Sequence, residues 1–150
     1  MRVHVASALA AVFLLGLAGG VAARVPTRRF GRTGIDMPIF TMGGMRTQQS
    51  WNRGGAESIT SMSQVDEACQ TNFVNILKRA LELGVNHFET ARGYGCSELQ
   101  YGHALKLLFA GGVKREDIIL QTKVSPFATP EEFRETLVRA FYYMYSLPRS

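Results

Sequence analysis

The sequence is poor in cysteine, and this scarcity removes two classes of protein. Only Cys69 and Cys96 occur in the 150 residues. Two cysteines form at most one bridge, so a small domain held together by several disulfides is excluded, and two free thiols are the favoured state. The sequence also lacks a CxxC pair and any spacing typical of zinc ligands, so it predicts no metal site.

The part of the sequence behind residue 32 lacks an excess of charge of either sign. The formal net charge of the whole chain is +5. Residues 33–150 carry twelve basic and twelve acidic side chains, so the excess lies entirely in five arginines near the N terminus: Arg2, Arg24, Arg28, Arg29 and Arg32. Nucleic-acid binding needs a basic patch on the folded body, and we therefore expect no nucleic-acid partner.

Long uncharged runs are also absent, except at the N terminus. Arg2 precedes an apolar stretch over residues 8–18, a Gly-Gly pair interrupts it, and the small residues 21–23 suit a cleavage site. This order is typical of a signal peptide or of the first part of an organelle presequence. We expect residues 1–24 to be a targeting segment that directs the protein to the secretory pathway or to an organelle such as a plastid.

The alternative is an uncleaved membrane anchor, because residues 5–23 carry no charge and are just long enough to span a bilayer. The glycine pair followed by a small-x-small site is more than an anchor needs, and it favours cleavage. We expect membrane association only if this segment stays uncleaved.

Behind the leader, strand patterns alternate with helix patterns. The sequence predicts a hairpin over 28–40, strands over 37–44, 85–90 and 117–124, and a polar loop or lid over 46–68. It predicts helices from Asn72 to a cap at Gly84, from Ser97 to Gly111, and from Pro130 to a stop at Leu147–Pro148, with a less regular pattern after Phe141. Capping boxes, in which a side chain at each of two positions bonds the other's backbone, are expected at Ser97–Gln100 and Thr129–Glu132.

The alternation of strands with helices indicates a parallel sheet with crossover helices. This sheet is either open or closed into a barrel.

Polar side chains follow two of these strands where each ends. Glu89 closes one strand, Tyr94 lies in the loop behind it, and Lys123 closes the next. Ligands bind at this edge of parallel α/β folds, and alternation places Glu89 and Lys123 on one side of the sheet. A cationic lysine beside a phenol lowers the pKa of the phenol, so the phenol can give a proton to a carbonyl oxygen.

A purely structural interpretation of these residues is also open. A glutamate and a lysine on adjacent strands often form an ion pair at a sheet edge, and a tyrosine between glycines often packs over a turn. We expect His87 to be a hydrogen-bonded core residue, and Cys96 to be a surface thiol in preference to one with a pKa lowered by a helix start.

The chain resembles the aldo-keto reductases, which are (β/α)8 barrels that reduce carbonyls with NADPH. "LELGVNHFETARGYGCSE", residues 81–98, is similar to the family motif G-x-N-x-F-D-T-A-x-x-Y-G-x-S-E. "RRFGRTG" resembles the opening hairpin of the family and "REDIILQTKV" its third strand. The resemblance extends from Thr27 to Phe141. It implies that residues 25–141 form the first part of a TIM barrel, namely the hairpin and three βα units, and that residues 142–150 are a divergent tail.

The resemblance also assigns roles to the polar residues. It implies that Tyr94 is the general acid, that Lys123 lowers its pKa, and that Glu89, an aspartate in most of the family, is the acidic member. Three further residues align with the loop that touches the nicotinamide end of NADPH: Gly43, Gly44 and Met45.

The family's histidine at the end of the fourth strand and most cofactor contacts would lie beyond this chain. We therefore expect an aldehyde or ketone reductase represented by a truncated, inactive chain. The alternative is a non-catalytic fragment or a regulatory protein that binds a nucleotide or a partner chain.

Overall fold

A computed structural model describes residues 24–46, residue 49 and residues 59–145. All of the targeting segment except Arg24, residues 47, 48 and 50–58 of the predicted polar loop, and the last five residues of the predicted tail lie outside the described residues. The expectations for those segments therefore stay predictions.

The N-terminal hairpin is present. Strand β1 (Thr27–Arg29) pairs antiparallel with β2 (Asp36–Pro38), and the amide of Phe30 donates to the carbonyl of Ile35 across the turn at 2.8 Å. The predicted strand over 37–44 is wrong as one element. It divides at an exposed bend into the end of β2 and a separate strand β3 (Met42–Gly43), because Pro38 is already paired with Thr27 in the hairpin.

The other strands form a parallel sheet in the order β3, β4 (His87–Glu89) and β5 (Ile119–Gln121). Gly43 lies opposite Glu89 in the first pair of strands, and Glu89 lies opposite Gln121 in the second. Consecutive parallel strands with a helix in each connection confirm the predicted α/β class. The described strands do not close into a barrel.

Helix α1 (Glu67–Glu82) begins five residues before the predicted start at Asn72. The carboxylate of Asp66 accepts a hydrogen bond from the amide of Cys69 at 2.8 Å, and this cap fixes the true start. The end agrees with the prediction, since Gly84 follows the C-terminal cap residue Leu83 and takes a φ of 83°.

The two predicted capping boxes have opposite outcomes. Before α3 (Pro130–Tyr145), the Thr129 hydroxyl accepts from the Glu132 amide at 3.2 Å and the Glu132 carboxylate accepts from the Thr129 amide at 2.7 Å, so this box is confirmed. The box at Ser97 is wrong. Ser97 is the first residue of α2 (Ser97–Ala110) rather than its cap, and its hydroxyl is hydrogen-bonded elsewhere, to Gly44.

The core lies between the sheet, α1 and α2. Tyr101 is fully buried at its centre, packs edge-to-face on Phe73 with ring centres 4.8 Å apart, and donates its hydroxyl to the carbonyl of Met42 at 3.2 Å. Burial raises the pKa of Tyr101. The rest of the core is aliphatic and aromatic: Val74, Leu77, Ala80, Phe88, Ala104, Leu105, Leu108 and Ile118.

Helix α3 packs against α2 at a glycine. A side chain at Gly102 would collide with the backbone carbonyl of Tyr143, so only glycine allows this approach. The described part of the helix extends to Tyr145, and Met144, which the sequence predicts on its apolar face, is buried. None of the helices in the described part of the chain is long and apolar enough to cross a membrane.

Two adjacent glycines at the end of β3, Gly43 and Gly44, offer a matched test of this packing. A Cβ at Gly44 would lie 2.6 Å from both the Ser97 hydroxyl and the Tyr101 ring, whereas one at Gly43 would meet nothing closer than 3.8 Å. We expect Gly44→Ala to lower the free energy of unfolding by about 1–3 kcal/mol through overpacking. Gly43→Ala should stay within about 0.5 kcal/mol of the parent. Urea unfolding measures both, and equal effects would contradict this account of the packing.

Candidate active site

Parallel strand pairing brings three of the predicted residues to one edge of the sheet. Glu89 is the last residue of β4, Lys123 follows β5 by two residues, and Tyr94 lies in the loop between β4 and α2. Because β4 and β5 are parallel neighbours, their carboxyl ends meet at the same edge.

The side chains of the three residues are in contact. Lys123 forms an ion pair with Glu89, and its Nζ lies over the ring of Tyr94, 4.5 Å from the ring centre. The Glu89 side chain is 18% exposed and that of Lys123 is 42% exposed. The Lys123 ammonium therefore contacts both the largely buried carboxylate of Glu89 and the ring of Tyr94. Both groups attract a cation.

Two effects act in opposite directions on the pKa of Lys123. Partial burial lowers this pKa, because removal from water disfavours the ammonium form. The carboxylate of Glu89 favours the ammonium form, since an opposite charge in contact stabilises it. The ion pair with Glu89 therefore opposes the effect of partial burial on Lys123.

Backbone hydrogen bonds continue the pairing of the two strands into the site. The amide of Thr90 donates to the carbonyl of Gln121 at 2.9 Å, and that of Arg92 donates to the carbonyl of Lys123 at 3.1 Å. The loop that carries the tyrosine is thus fixed directly to the segment that carries the lysine.

The other side of the tyrosine loop is fixed to α2. The amide of Ser97 donates to the carbonyl of Tyr94 at 3.0 Å, and Gly95 between them takes a φ of 57°, a conformation that glycine adopts without strain. Gly95 therefore allows the chain to turn sharply from Tyr94 into α2.

The three residues predicted to touch a cofactor lie beside Glu89. Gly43 is exposed, and Met45 is 39% exposed. Gly44 is buried, donates its amide to the carbonyl of Glu89 at 2.6 Å, and accepts from the Ser97 hydroxyl at 3.1 Å. Gly44 therefore connects the end of β3 to Glu89 and Ser97 through buried hydrogen bonds, while Gly43 and Met45 are exposed.

His87 lies on the same strand as Glu89 and is buried. Its Nδ1 is 2.8 Å from the Thr41 hydroxyl and its Nε2 is 3.2 Å from the amide oxygen of Gln121, which accepts a hydrogen bond only from a protonated Nε2. Burial lowers the pKa of His87. His87 is therefore a buried core residue whose ring is hydrogen-bonded to Thr41 and Gln121, as the sequence predicts.

Cys96 is not the surface thiol that the sequence predicted. It is 1% exposed, its Sγ donates to the side-chain oxygen of Gln100 at 3.2 Å, and burial raises its pKa. The position before a helix suggested a surface thiol, but α2 packs this end against α1. Contacts between helices are not visible in the local sequence.

A functional candidate that the sequence analysis missed is Glu98. It is 2% exposed, and its Oε1 accepts a hydrogen bond from the Thr122 hydroxyl at 2.7 Å. Burial raises the pKa of Glu98. The sequence signal that could have identified Glu98 was its position directly after Ser97 in the family motif. A glutamate in the first turn of a helix is ordinarily assigned to the surface, so the pattern did not single it out.

An open cleft of about 770 Å³ borders this edge of the sheet. It lies between the loop after β4, the segment after β5 and α3, and its polar lining includes Arg92, Lys123, Ser125 and Glu132. Among the described residues, no three His, Cys, Asp or Glu side chains are grouped to hold a metal ion.

Comparison with known proteins shows which family and which solved structures this chain is similar to. The family model described as "Aldo/keto reductase family" matches residues 41–144. A curated relative from Schizosaccharomyces pombe, named "Putative voltage-gated potassium channel subunit beta", is 35% identical over 102 residues, which are 67% of this chain and 24% of that protein.

Solved structures agree in fold. A "Putative aldo-keto reductase" structure from Pseudomonas aeruginosa superposes with a TM-score of 0.59 at 20% identity, covering 84% of this chain and 46% of that one. A Bombyx mori aldo-keto reductase in complex with NADP gives a TM-score of 0.57 at 18% identity, covering 83% and 36%. The predicted incomplete TIM-barrel class is thereby confirmed, and the chain spans about a quarter of the curated relative and less than half of each of these two structures.

The buried histidine leads to a pH-dependent prediction. Because the pKa of His87 is lower in the folded state, the folded protein binds fewer protons than the unfolded one. Its contribution to stability is present above the unfolded pKa of about 6.5 and is lost as the pH falls through that value towards the folded pKa. We expect His87→Gln to reduce the loss of stability between neutral and mildly acidic pH.

The matched control for this experiment is His103→Gln, which replaces the half-buried histidine of α2. Urea unfolding of both variants over the same pH range measures the slope of stability against pH. A slope that His103→Gln changes more than His87→Gln would contradict the assignment.

Proposed function

This chain belongs to the aldo/keto reductase family, and on that premise we propose that its site serves NADPH-dependent reduction of aldehydes or ketones. One observation carries the proposal. The Lys123 ammonium is paired with Glu89 and at the same time lies over the ring of Tyr94.

The proposed chemistry assigns one task to each side chain. NADPH supplies a hydride to the carbonyl carbon when it is bound. Tyr94 donates its phenolic proton to the carbonyl oxygen, so that an alcohol forms and a phenolate remains. The charge of Lys123 stabilises that phenolate, and the ion pair with Glu89 holds Lys123 in place and favours its charged form.

The residues around Glu89 suit the flat nicotinamide end of the cofactor. Exposed Gly43 has no side chain to block the approach to Glu89, and Met45 adds an apolar contact. Gly44 already donates its amide to the protein, so we propose that it shapes the loop from inside. The phosphate and adenine contacts are proposed to lie in the part of the family fold that this chain does not span.

The substrate is proposed to be a small carbonyl compound that approaches from the open cleft beside Lys123. Lys123 lines this cleft and also lies over the ring of Tyr94, so a polar molecule in the cleft would lie beside the proposed site. We propose neither a nucleic-acid partner nor a metal cofactor, and residues 1–24 are proposed to be a targeting segment.

A second candidate is a non-catalytic subunit that binds a nucleotide and a partner chain. The name of the Schizosaccharomyces pombe relative, a potassium channel subunit beta, favours it. In that role the site would bind the cofactor, and the contact of Lys123 with Tyr94 would not be needed for turnover. Cofactor binding without turnover separates this candidate from the first.

Substitution of the three side chains tests the proposal in a form of the protein that carries the whole barrel. Tyr94→Phe removes the proton donor and should lower the rate about 10²–10⁴-fold, with a comparable loss for Lys123→Met. Glu89→Asp keeps the charge and should be mild. The decrease of NADPH absorbance with a panel of aldehydes and ketones measures the rate.

The control for the tyrosine variant is Tyr142→Phe, which removes a hydroxyl from the partly exposed face of α3 and should leave the rate unchanged. Full activity of Tyr94→Phe would overturn the proposed proton donor. A loss for Glu89→Asp as large as that for Tyr94→Phe would show that the acid does more than support Lys123.

A further inference from the structure

Glu98 is a buried carboxyl group whose two oxygens have different surroundings. Oε1 accepts the hydroxyl hydrogen of Thr122 at 2.7 Å. Oε2 is buried and has no hydrogen-bond partner among the residues that the structure describes. An apolar side chain would fill this place at a lower cost of desolvation. Unlike an apolar residue, Glu98 supplies a hydrogen-bond acceptor for the Thr122 hydroxyl.

Charged groups near Glu98 do not explain its presence as a simple ion pair. The guanidinium groups of Arg92 and Arg139 favour the carboxylate form of Glu98 from a distance, but burial outweighs them and raises its pKa. Neither arginine makes an ion pair with Glu98 in the described part of the chain. The short contact of this carboxyl is the one with Thr122.

Thr122 stands between the end of β5 and Lys123. Successive side chains of an extended segment point to opposite sides, so a residue fixed on the helix side sets the direction of its neighbour on the other side. β5 ends at Gln121, and beyond it the amide of Arg92 still bonds the carbonyl of Lys123, but this backbone bond does not set the direction of the side chains. The hydrogen bond from Thr122 to Glu98 provides that restraint from α2.

The first turn of α2 thus holds both partners of the proposed site. Ser97 binds the carbonyl of Tyr94 through its amide, and the next residue, Glu98, binds the residue before Lys123. A single rigid helical turn therefore fixes the distance between the tyrosine loop and the lysine segment.

We propose that Glu98 is a positioning residue that acts through Thr122 to hold Lys123 against Glu89 and over the ring of Tyr94. The inference rests on the proposed function, because it concerns the lysine of the same site. Its test reads the position of Lys123 and not turnover, so the two can fail separately.

Lysine-selective ¹³C labelling of the full chain provides the readout. The chain has four lysines, Lys78, Lys106, Lys114 and Lys123, so the side-chain Cε–Hε spectrum contains four sets of signals. Lys123 should be displaced upfield by the ring current of Tyr94, and Tyr94→Leu identifies that displacement. Lys106 and Lys114 are exposed and serve as internal references.

Three variants then test the chain of contacts. Thr122→Val removes the donor with little change of shape, Glu98→Met removes the acceptor, and Glu98→Gln retains an acceptor oxygen. We expect the first two to move the Lys123 signals by at least half of the displacement that Glu89→Gln causes, while Glu98→Gln stays near the parent. The reference lysines should not move in any of them.

The results separate a positioning role from a merely structural one. Unchanged Lys123 signals in folded Thr122→Val would overturn the proposal, whatever happens to stability. If Glu98→Met does not fold, Thr122→Val and Glu98→Gln decide the matter. A displacement of Lys123 in Glu98→Gln as large as in Thr122→Val would also contradict the role of the acceptor oxygen.

Discussion

The parallel pairing of β4 with β5 is the constraint on which the site depends. It places the ends of the two strands at one edge, and the ion pair between Glu89 and Lys123 forms across that edge. The backbone bond from Arg92 to Lys123 continues the same pairing into the loop that carries Tyr94. A shift in register by one residue would turn Glu89 or Lys123 to the helix side and remove the contact.

Behind this edge, a buried polar network supports the site from the helix side. The hydroxyls of Thr90 and Ser97 are 2.8 Å apart, Ser97 also binds the carbonyl of Gly44, and Glu98 binds Thr122. These contacts join β3, the loop after β4, α2 and the end of β5. Hydrogen bonds between buried polar groups favour one arrangement of the elements around them. The network therefore explains why this end of α2 is polar although it is buried.

The sequence predicted the features that depend on periodicity and on local chemistry. The alternation of strands and helices, the turn at Gly84 and the capping box at Thr129 all follow from short-range patterns, and the structure has them. Strand alternation also suggested that Glu89 and Lys123 would lie on the same side, which is where the structure places them. Their catalytic roles come from the family resemblance and stay predictions.

Features that depend on distant partners could not be predicted. Ser97 has the pattern of a helix cap, but its hydroxyl binds Gly44, which is 53 positions away. Cys96, directly before α2, and Glu98, in its first turn, resemble surface residues, yet packing against other elements buries both. In each case a tertiary contact outweighed the local preference.

The central claim is that Glu89 acts through Lys123 on Tyr94, and a double-substitution cycle tests it most directly. In a form of the protein with the whole barrel, kcat/KM for NADPH-dependent carbonyl reduction would be measured for Glu89→Gln, for Lys123→Met and for the two together. The account predicts that the double variant is no slower than Lys123→Met alone, because Glu89 has no target once the lysine is gone. Losses that add up in free energy would contradict it.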